Sequence, residues 1–358
     1  METLSVKEFQ NTGIKYLTFS NQNGKRWSIP MENMRVALEL YEPSGMKGKL
    51  LKRLFPISTK VGVTKRILHG SYTTVEMSEE LIKILIKCFG EKWEYSVFWG
   101  TPCVDRKITI QIYRGKNILG YCKIGNSKRV KDLFEHEKNV LDLLQQKDMD
   151  HVSRCLTIEQ LTNGSWVLVQ STEKVVGVGT EHDYGVKQSR FLEKLWKTTK
   201  ETLLFEKTDY YQSLLYLEQH LDLIDDEYRG KVKETLDQVI SYYKDKEVEW
   251  GVSHRDFTPW NTCVVGKELF VFDFEYALMN APKGIDRWHF FVQTKCFEKK
   301  CDAKQIAEEY LKMSKEINDD ILFKCYILDI VSFYLSRNGE DDLDTALIRT
   351  KILNNVLV

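Results

Sequence analysis

His254-Arg255-Asp256-Phe257-Thr258-Pro259-Trp260-Asn261 is followed, after a short apolar stretch, by Phe272-Asp273-Phe274-Glu275. Moving a phosphoryl group from a nucleotide to a hydroxyl needs a carboxylate beside the accepting hydroxyl. It also needs oxygen ligands that hold Mg²⁺ against the phosphates. Asp256, Asn261 and Asp273 offer those parts in chain order, Asp256 as base and the other two as hard-oxygen ligands. A plainer reading makes His254 and Asp256 caps of a turn, and Asn261 and Asp273 ordinary polar loop residues. The coupled spacing favours chemistry, because HxD alone is common and the full set is not.

Both acids need a rigid support. Val248 to Ser253 and Leu269 to Phe272 are short, largely apolar runs, which puts Asp256 and Asp273 near strand ends where a sheet can aim side chains. Upstream, Tyr95 to Trp99, Ile108 to Tyr113 and Ile118 to Ile124 are β-rich, with Arg114-Gly115-Lys116-Asn117 turning between the last two. Lys123 falls near the end of the third run, and a helical pattern covers Lys131 to Leu144. A Lys on such a strand can pair with a Glu on the following helix and hold its head against nucleotide phosphates. Glu137 is the favoured partner, since Val140, Leu141 and Leu144 form a docking stripe, and Glu135 is the alternative. Lys123 as a solvent-facing strand residue and Glu137 as a surface carboxylate are the bland readings.

The strand Trp166 to Gln170 runs into Ser171-Thr172-Glu173, where the chain is expected to leave the sheet. Gln170 and Thr172 are assigned here to the adenine side of an ATP site. Helical patterns then cover Phe191 to Leu204, Tyr210 to Leu223 and Tyr228 to Tyr243, and helical segments fill the chain after Asp286.

Residues 1–92 precede these parts and read as an N-terminal extension of unknown role. Ile14 to Phe19 and Arg26 to Ile29 form a hairpin pattern around Asn21-Gln22-Asn23-Gly24. Helical patterns follow at Glu32 to Leu40, around Lys49 to Leu54 and at Ser78 to Phe89, the last with Glu79 and Glu80 in its first turn and Gly90 after it. Domains are therefore expected at 1–92, 93–172 (nucleotide-binding) and 173–358 (helix-rich, catalytic). The basic cluster Lys47, Lys49, Lys52, Arg53, Lys60, Lys65 and Arg66 reads as a solvated helix face, with a docking patch for a peripheral membrane surface or an anionic partner as the alternative.

Composition narrows the classes further. With 358 residues and 42% hydrophobic content the chain can build two lobes and an extension. A formal net charge of zero argues against a nucleic-acid partner. The eight cysteines include no C-x-x-C pair and read as reduced thiols, and the seven histidines form neither H-x-x-x-H nor H-E-x-x-H, which disfavours zinc. Acidic and polar residues stand where a secretory leader would need an apolar run. The apolar stretch Ile321 to Leu335 is interrupted by Lys324 and Asp329, so no transmembrane segment is expected and the cytoplasm is the expected location.

The arrangement H-R-D-x-x-x-x-N followed by D-F resembles the catalytic and metal loops of protein kinases. Taken with Lys123, Glu137 and a helix-rich C-terminal half, it looks like the aminoglycoside phosphotransferase and choline kinase superfamily, over roughly residues 93 to 340. Asp273-Phe274-Glu275-Tyr276-Ala277 with Asn280, Asp286 and Phe290 is similar to the choline/ethanolamine kinase motif. The resemblance implies an α+β, two-lobed protein-kinase-like fold with a small antiparallel-sheet lobe, a large α-rich lobe, and ATP with Mg²⁺ as cofactors. It implies Asp256 as catalytic base, Asn261 and Asp273 as Mg²⁺ ligands and Lys123 as the phosphate-binding lysine. Glu275 helps organise the metal or the substrate side on this reading, His254 supports the loop, and Asp286 holds it through hydrogen bonds or else serves as a helix N-terminal acid.

Two features depart from the family pattern. Gly100-Thr101-Pro102-Cys103-Val104-Asp105-Arg106 has a single glycine where a phosphate-cradling loop would have several, and an extra residue precedes Asp286 while His289 replaces the usual Asn. Only twelve residues separate Asp273 from Asp286 and A-P-E is missing, which disfavours a peptide substrate. The expected function is phosphorylation of a small-molecule hydroxyl on a sugar, amino sugar or aminoglycoside-like acceptor, with Trp260, Tyr276 and Trp288 as aromatic contacts or core residues. The runner-up acceptors are choline and ethanolamine. Two other classes compete: a nucleotide-binding scaffold without catalysis, and an assembly factor docked through residues 1–92.

Overall fold

The computed structural model describes residues 2–41, 50, 52–55, 63–103, 105–317, 320–337 and 340–356. The chain divides into two compact units, Met1–Gln145 with Asp150–Gly179, and Gln146–Met149 with Thr180–Val358.

In the first unit the described strands are β1 (Leu4–Glu8), β2 (Tyr16–Ser20), β3 (Arg26–Pro30), β4 (Ser71–Met77), β5 (Glu94–Phe98), β6 (Ile108–Arg114), β7 (Asn117–Gly125), β8 (Cys155–Gln160) and β9 (Trp166–Ser171). They form one sheet in the order β1-β4-β2-β3-β5-β6-β7-β9-β8. Helix α1 (Glu79–Phe89) starts at Ser78, whose Oγ accepts from the Leu81 N–H at 3.3 Å, and ends at Gly90 in a left-handed φ of 71°. Its buried Leu81, Ile84 and Leu85 pack with Val97, Ile110, Ile112 and Cys122 of the sheet. Period-2 alternation on β7 buries Ile118, Gly120, Cys122 and Ile124.

Helix α2 (Lys128–Gln146) buries Val130, Phe134, Glu137, Val140, Leu141 and Leu144. The end of β7 approaches this helix closely: a Cβ on Gly125 would lie 2.4 Å from Val130 Cγ1. Glycine is thus what lets the strand bearing Lys123 reach the helix bearing Glu137.

The texture change at residue 93 does not mark a structural boundary. β3 pairs with β5 through Trp27↔Phe98 and Ser28↔Val97, Trp99 Nε1 donates to Ser28 Oγ at 2.8 Å, and buried Gln111 Nε2 donates to the Val36 carbonyl at 2.9 Å. Residues 1–92 therefore lie in the same unit as the expected small lobe, which ends at Gly179 rather than 172. Composition changes locally, whereas these pairings join segments distant in sequence. The pattern at Glu32 to Leu40 becomes a short helix, Met34–Ala37, followed by a 3₁₀ turn, Leu38–Leu40. Of the Lys49 to Leu54 reading, residues 49 and 51 lie outside the described residues and 50 and 52–54 are helical. Of the basic cluster, Lys47, Lys49 and Lys60 also lie outside them. Lys52 approaches Glu39 at 3.8 Å, and Lys65 sits over the Tyr72 ring at 4.7 Å.

The second unit holds a three-stranded sheet of β10 (Glu201–Leu204), β11 (Glu247–Ser253) and β14 (Leu278–Ala281), and a hairpin of β12 (Thr262–Val265) and β13 (Glu268–Val271). Around them stand α3 (Val186–Thr199), α4 (Asp209–Gln219), α5 (Asp226–Tyr243), α6 (Ile285–Gln293), α7 (Ala303–Ile317), α8 (Asp320–Arg337) and α9 (Glu340–Val356). The helix expected over Phe191 to Leu204 stops at Thr199, and Glu201–Leu204 is a strand paired with β11. A short apolar run fits either period, and the long-range partner decides it. Helix α8 is buried on all sides from Cys325 to Leu335, with Asp329 inside that span. Among the described residues no helix is long and apolar enough to cross a membrane. All eight cysteines lie outside disulfides.

Candidate active site

In the first unit, Lys123 Nζ lies 2.9 Å from Glu137 Oε2, with side chains 13% and 0% exposed. Glu135 instead pairs with Lys131 at 3.2 Å on the same helix, so the choice between the two acids falls to Glu137. Gln170 is buried within β9 and pairs with Tyr121 of β7 on one side and Cys155 of β8 on the other. Its backbone edges face strands, which moves any backbone contact with a ligand past it. Thr172 Oγ1 accepts from the Lys174 N–H at 3.1 Å.

In the second unit, β11 ends at Ser253 and delivers the loop His254 to Thr258. Asp286, in the first turn of α6, receives this loop. Its Oδ1 accepts from Ser253 Oγ and the Arg255 N–H, both at 2.9 Å, and its Oδ2 from the His254 N–H at 2.9 Å. Three donors on one buried carboxylate fix the path of the loop. Arg255 holds it from the other side: Nε donates to Asp329 Oδ2 at 3.0 Å, and Nη2 to Asp329 Oδ1 at 2.8 Å and to Ser213 Oγ at 3.1 Å. Neither Asp329 nor Ser213 was expected from sequence as a partner of the loop. The available signal was an acid inside an otherwise apolar helical stretch, since buried carboxylates need charged partners.

The hairpin brings the candidate ligands together. The 3₁₀ turn Pro259–Asn261 leads into β12, and Thr262↔Val271 is the first rung of the β12–β13 ladder. One step beyond it, the Phe272 N–H donates to the Asn261 carbonyl at 3.2 Å, so Asp273 leaves the hairpin beside Asn261. Neutral His254 fits the same end: Nε2–H donates to the Phe272 carbonyl at 3.0 Å, and Nδ1 accepts from the Asp256 N–H at 3.3 Å. Arg255 and Asp273 both have left-handed backbones, with φ of 63° and 72°. Non-glycine residues are held there only when the surroundings over-determine them, as this network does.

Asp256 is 28% exposed. Its Oδ2 accepts from Asn261 Nδ2 at 2.7 Å, and the same nitrogen donates to the Asp256 carbonyl at 3.0 Å. Two acceptors on Nδ2 set the amide orientation and turn Asn261 Oδ1 away from Asp256, which is the atom a hard cation would take. Asp256 Oδ1 faces His289 Nε2 at 3.3 Å. Glu275 is buried two residues after Asp273.

The aromatic expectations divide. Trp260 is 37% exposed and meets Phe297 edge-on at 6.1 Å. Tyr276 is half-buried, packed edge-on against Phe333 at 4.9 Å with Arg337 over its ring at 5.3 Å, and burial raises its phenol pKa. Trp288 is fully buried against Phe291, Tyr310 and Phe323, so the acceptor contact expected of it is corrected to core packing.

No family model matches the chain, and no curated protein matches it. Solved structures do. Aminoglycoside phosphotransferase APH(4)-Ia is similar over 77% of this chain and 98% of its own, at 12% identity and a TM-score of 0.52. A thermostable mutant of it, in ternary complex with AMP-PNP and hygromycin B, is similar over 78% and 99% at 13% identity and a TM-score of 0.53. The chain has the protein-kinase-like fold of these phosphotransferases.

Proposed function

We propose that this chain is an ATP- and Mg²⁺-dependent phosphotransferase acting on a hydroxyl of a small molecule of the sugar, amino-sugar or aminoglycoside class. The observation that carries the reading is the Asp256–Asn261 pair, a partly exposed carboxylate beside an amide whose oxygen is turned away from it, with the backbone of Asp273 following the hairpin rung at Asn261. Asp256 orients the acceptor hydroxyl and takes its proton as the bond to phosphorus forms. Asn261 Oδ1 and the Asp273 carboxylate would hold Mg²⁺, which when bound supplies neutralising charge beside the phosphate oxygens. Lys123, fixed by Glu137, offers its ammonium to the nucleotide phosphates.

A small acceptor is favoured over a peptide by what fills the segment after Asp273. Leu278–Ala281 is spent as β14, paired with β11, and Asp286 follows in α6. That leaves no length for a segment that seats an extended chain.

ADP release by the purified full-length chain tests the reading, using ATP, Mg²⁺ and a panel of sugars, aminoglycosides, amino alcohols and a generic protein. Acceptor-dependent turnover on a carbohydrate, absent in Asp256→Asn, is the expected result. Robust protein phosphorylation, or turnover confined to choline, would overturn the acceptor class. No acceptor-dependent turnover across the panel would favour the scaffold reading.

A further inference from the structure

A buried polar chain runs from α9 to the candidate base. Arg349 on α9 is fully buried, and its Nη2 donates to Gln293 Oε1 at 3.1 Å. That bond settles the orientation of the Gln293 amide, leaving Nε2 to face Tyr334 Oη at 3.0 Å and His289 Nε2 at 3.2 Å. His289, also buried, presents the same Nε2 to Asp256 Oδ1 at 3.3 Å, while its Nδ1 is buried without a hydrogen-bond partner. Arg349 Nη1 meets Cys296 Sγ at 3.3 Å. Gln293 and His289 lie one turn apart on α6, so a single helix carries both middle links.

An ionised Asp256 is an acceptor, so the hydrogen of a neutral His289 must sit on Nε2, leaving the Nδ1 lone pair unpartnered. The other tautomer could accept from Gln293 Nε2, but it would turn that lone pair toward the carboxylate and leave a buried Nδ1–H unsatisfied, so the charge-assisted bond to Asp256 decides. With His289 Nε2 protonated, Gln293 Nε2, itself a donor, makes no hydrogen bond to it; the amide, oriented by Arg349 and Tyr334, packs against the ring at 3.2 Å and limits its rotation sterically, and Tyr326 closes the ring edge-on at 5.8 Å. Asp256 then has a donor on each carboxylate oxygen, Asn261 on Oδ2 and His289 on Oδ1.

We propose that His289 is a positioning residue for the base Asp256, held as its Nε2–H tautomer, and that Gln293 and Arg349 position His289 in turn. The C-terminal helix thereby sets the angle at which the carboxylate meets an acceptor hydroxyl. This rests on the phosphotransferase reading for its kinetic consequence and not for its geometry.

The test pairs two readouts on the full-length chain. Nitrogen-15 NMR of labelled histidines, with the His289 signals identified by their loss in His289→Gln, should show Nε2 protonated and Nδ1 unprotonated. Asp256→Leu should shift the Nε2 resonance. Kinetics on the acceptor found in the panel should show kcat about 10–100-fold lower in His289→Leu, with the KM for ATP unchanged. His289→Gln, whose amide nitrogen can occupy the Nε2 position, should recover most of it, and Gln293→Leu should give a smaller loss in kcat alone. An Nδ1–H tautomer, or an Nε2 resonance indifferent to Asp256→Leu, would overturn the proposal whether or not any acceptor is phosphorylated. Equal loss in the Leu and Gln variants at His289, or a change confined to KM, would overturn it as well. An inactive panel with the expected tautomer would instead count against the phosphotransferase reading and leave the bond standing.

Discussion

The Lys123–Glu137 pair and the Asp256 loop solve the same problem, fixing a charged side chain at a set place, by opposite means. The first is local: one strand, the next helix, and a single bond between residues 14 apart, with Gly125 permitting the approach. The second is distributed. Its loop is held by Asp286 and Asp329, 31 and 74 residues beyond Arg255, and through Asp329 by Ser213, 116 residues before it. A pair answers to one substitution, whereas a network spreads each loss over stability and chemistry together.

Four experiments would break or sharpen that contrast. Asp256→Asn should carry the largest effect, about 10²–10⁴-fold in turnover, because it removes proton acceptance at constant volume. Nucleotide binding by titration calorimetry should stay near wild type, and near wild-type turnover would exclude Asp256 as the base. Asp329→Asn comes next. It leaves the largely covered Arg255 guanidinium without its buried carboxylate and should cost about 3 kcal/mol of stability by chemical denaturation, with turnover falling too. If stability held while turnover fell, the loop would not depend on the distributed network described here.

Glu137→Gln should act more narrowly, weakening ATP binding by about tenfold, the scale of one weakened charge-assisted bond. Glu135→Gln, whose acid pairs with Lys131 at the helix surface, should leave ATP binding unchanged. Equal effects from the two would mean that the acid on this helix is interchangeable. The smallest effect is a coupling: the Lys123→Ala and Glu137→Gln losses in ATP affinity should fail to add by about 0.5 kcal/mol or more. Strict additivity would separate the two side chains energetically despite their 2.9 Å approach.

What could be read from the sequence follows the same division. Asp256, Asn261 and Asp273 stood out because their chemistry needs fixed residue types at short spacing, and the runs beside them gave the strands β11 and β13. Lys123 and Glu137 were accessible because a strand followed by a helix has few registers. Ser213, Gln293 and Arg349 were not, since each matters only through a partner brought near by helix packing. β1, β4, β8 and β14 were missed for a related reason: they are strands whose place is set by their neighbours in the sheet. Trp288 left two readings open, because an aromatic near such a motif suits a binding wall and a core equally, and only burial separates them.

The pairing of β3 with β5 has a practical consequence for anyone trimming this chain. Cutting before residue 93 would take away the strand that covers β5, leaving the backbone around Val97 and Phe98 unpaired, and would remove Trp27 from its stack on Phe98 at 5.2 Å. An uncovered edge beside exposed apolar side chains is a template for other chains. The shortened protein should therefore self-associate before any question of activity could be put to it, and the first 92 residues expressed alone would carry the complementary raw edge. Their role is better probed by point substitutions in the intact chain than by deletion.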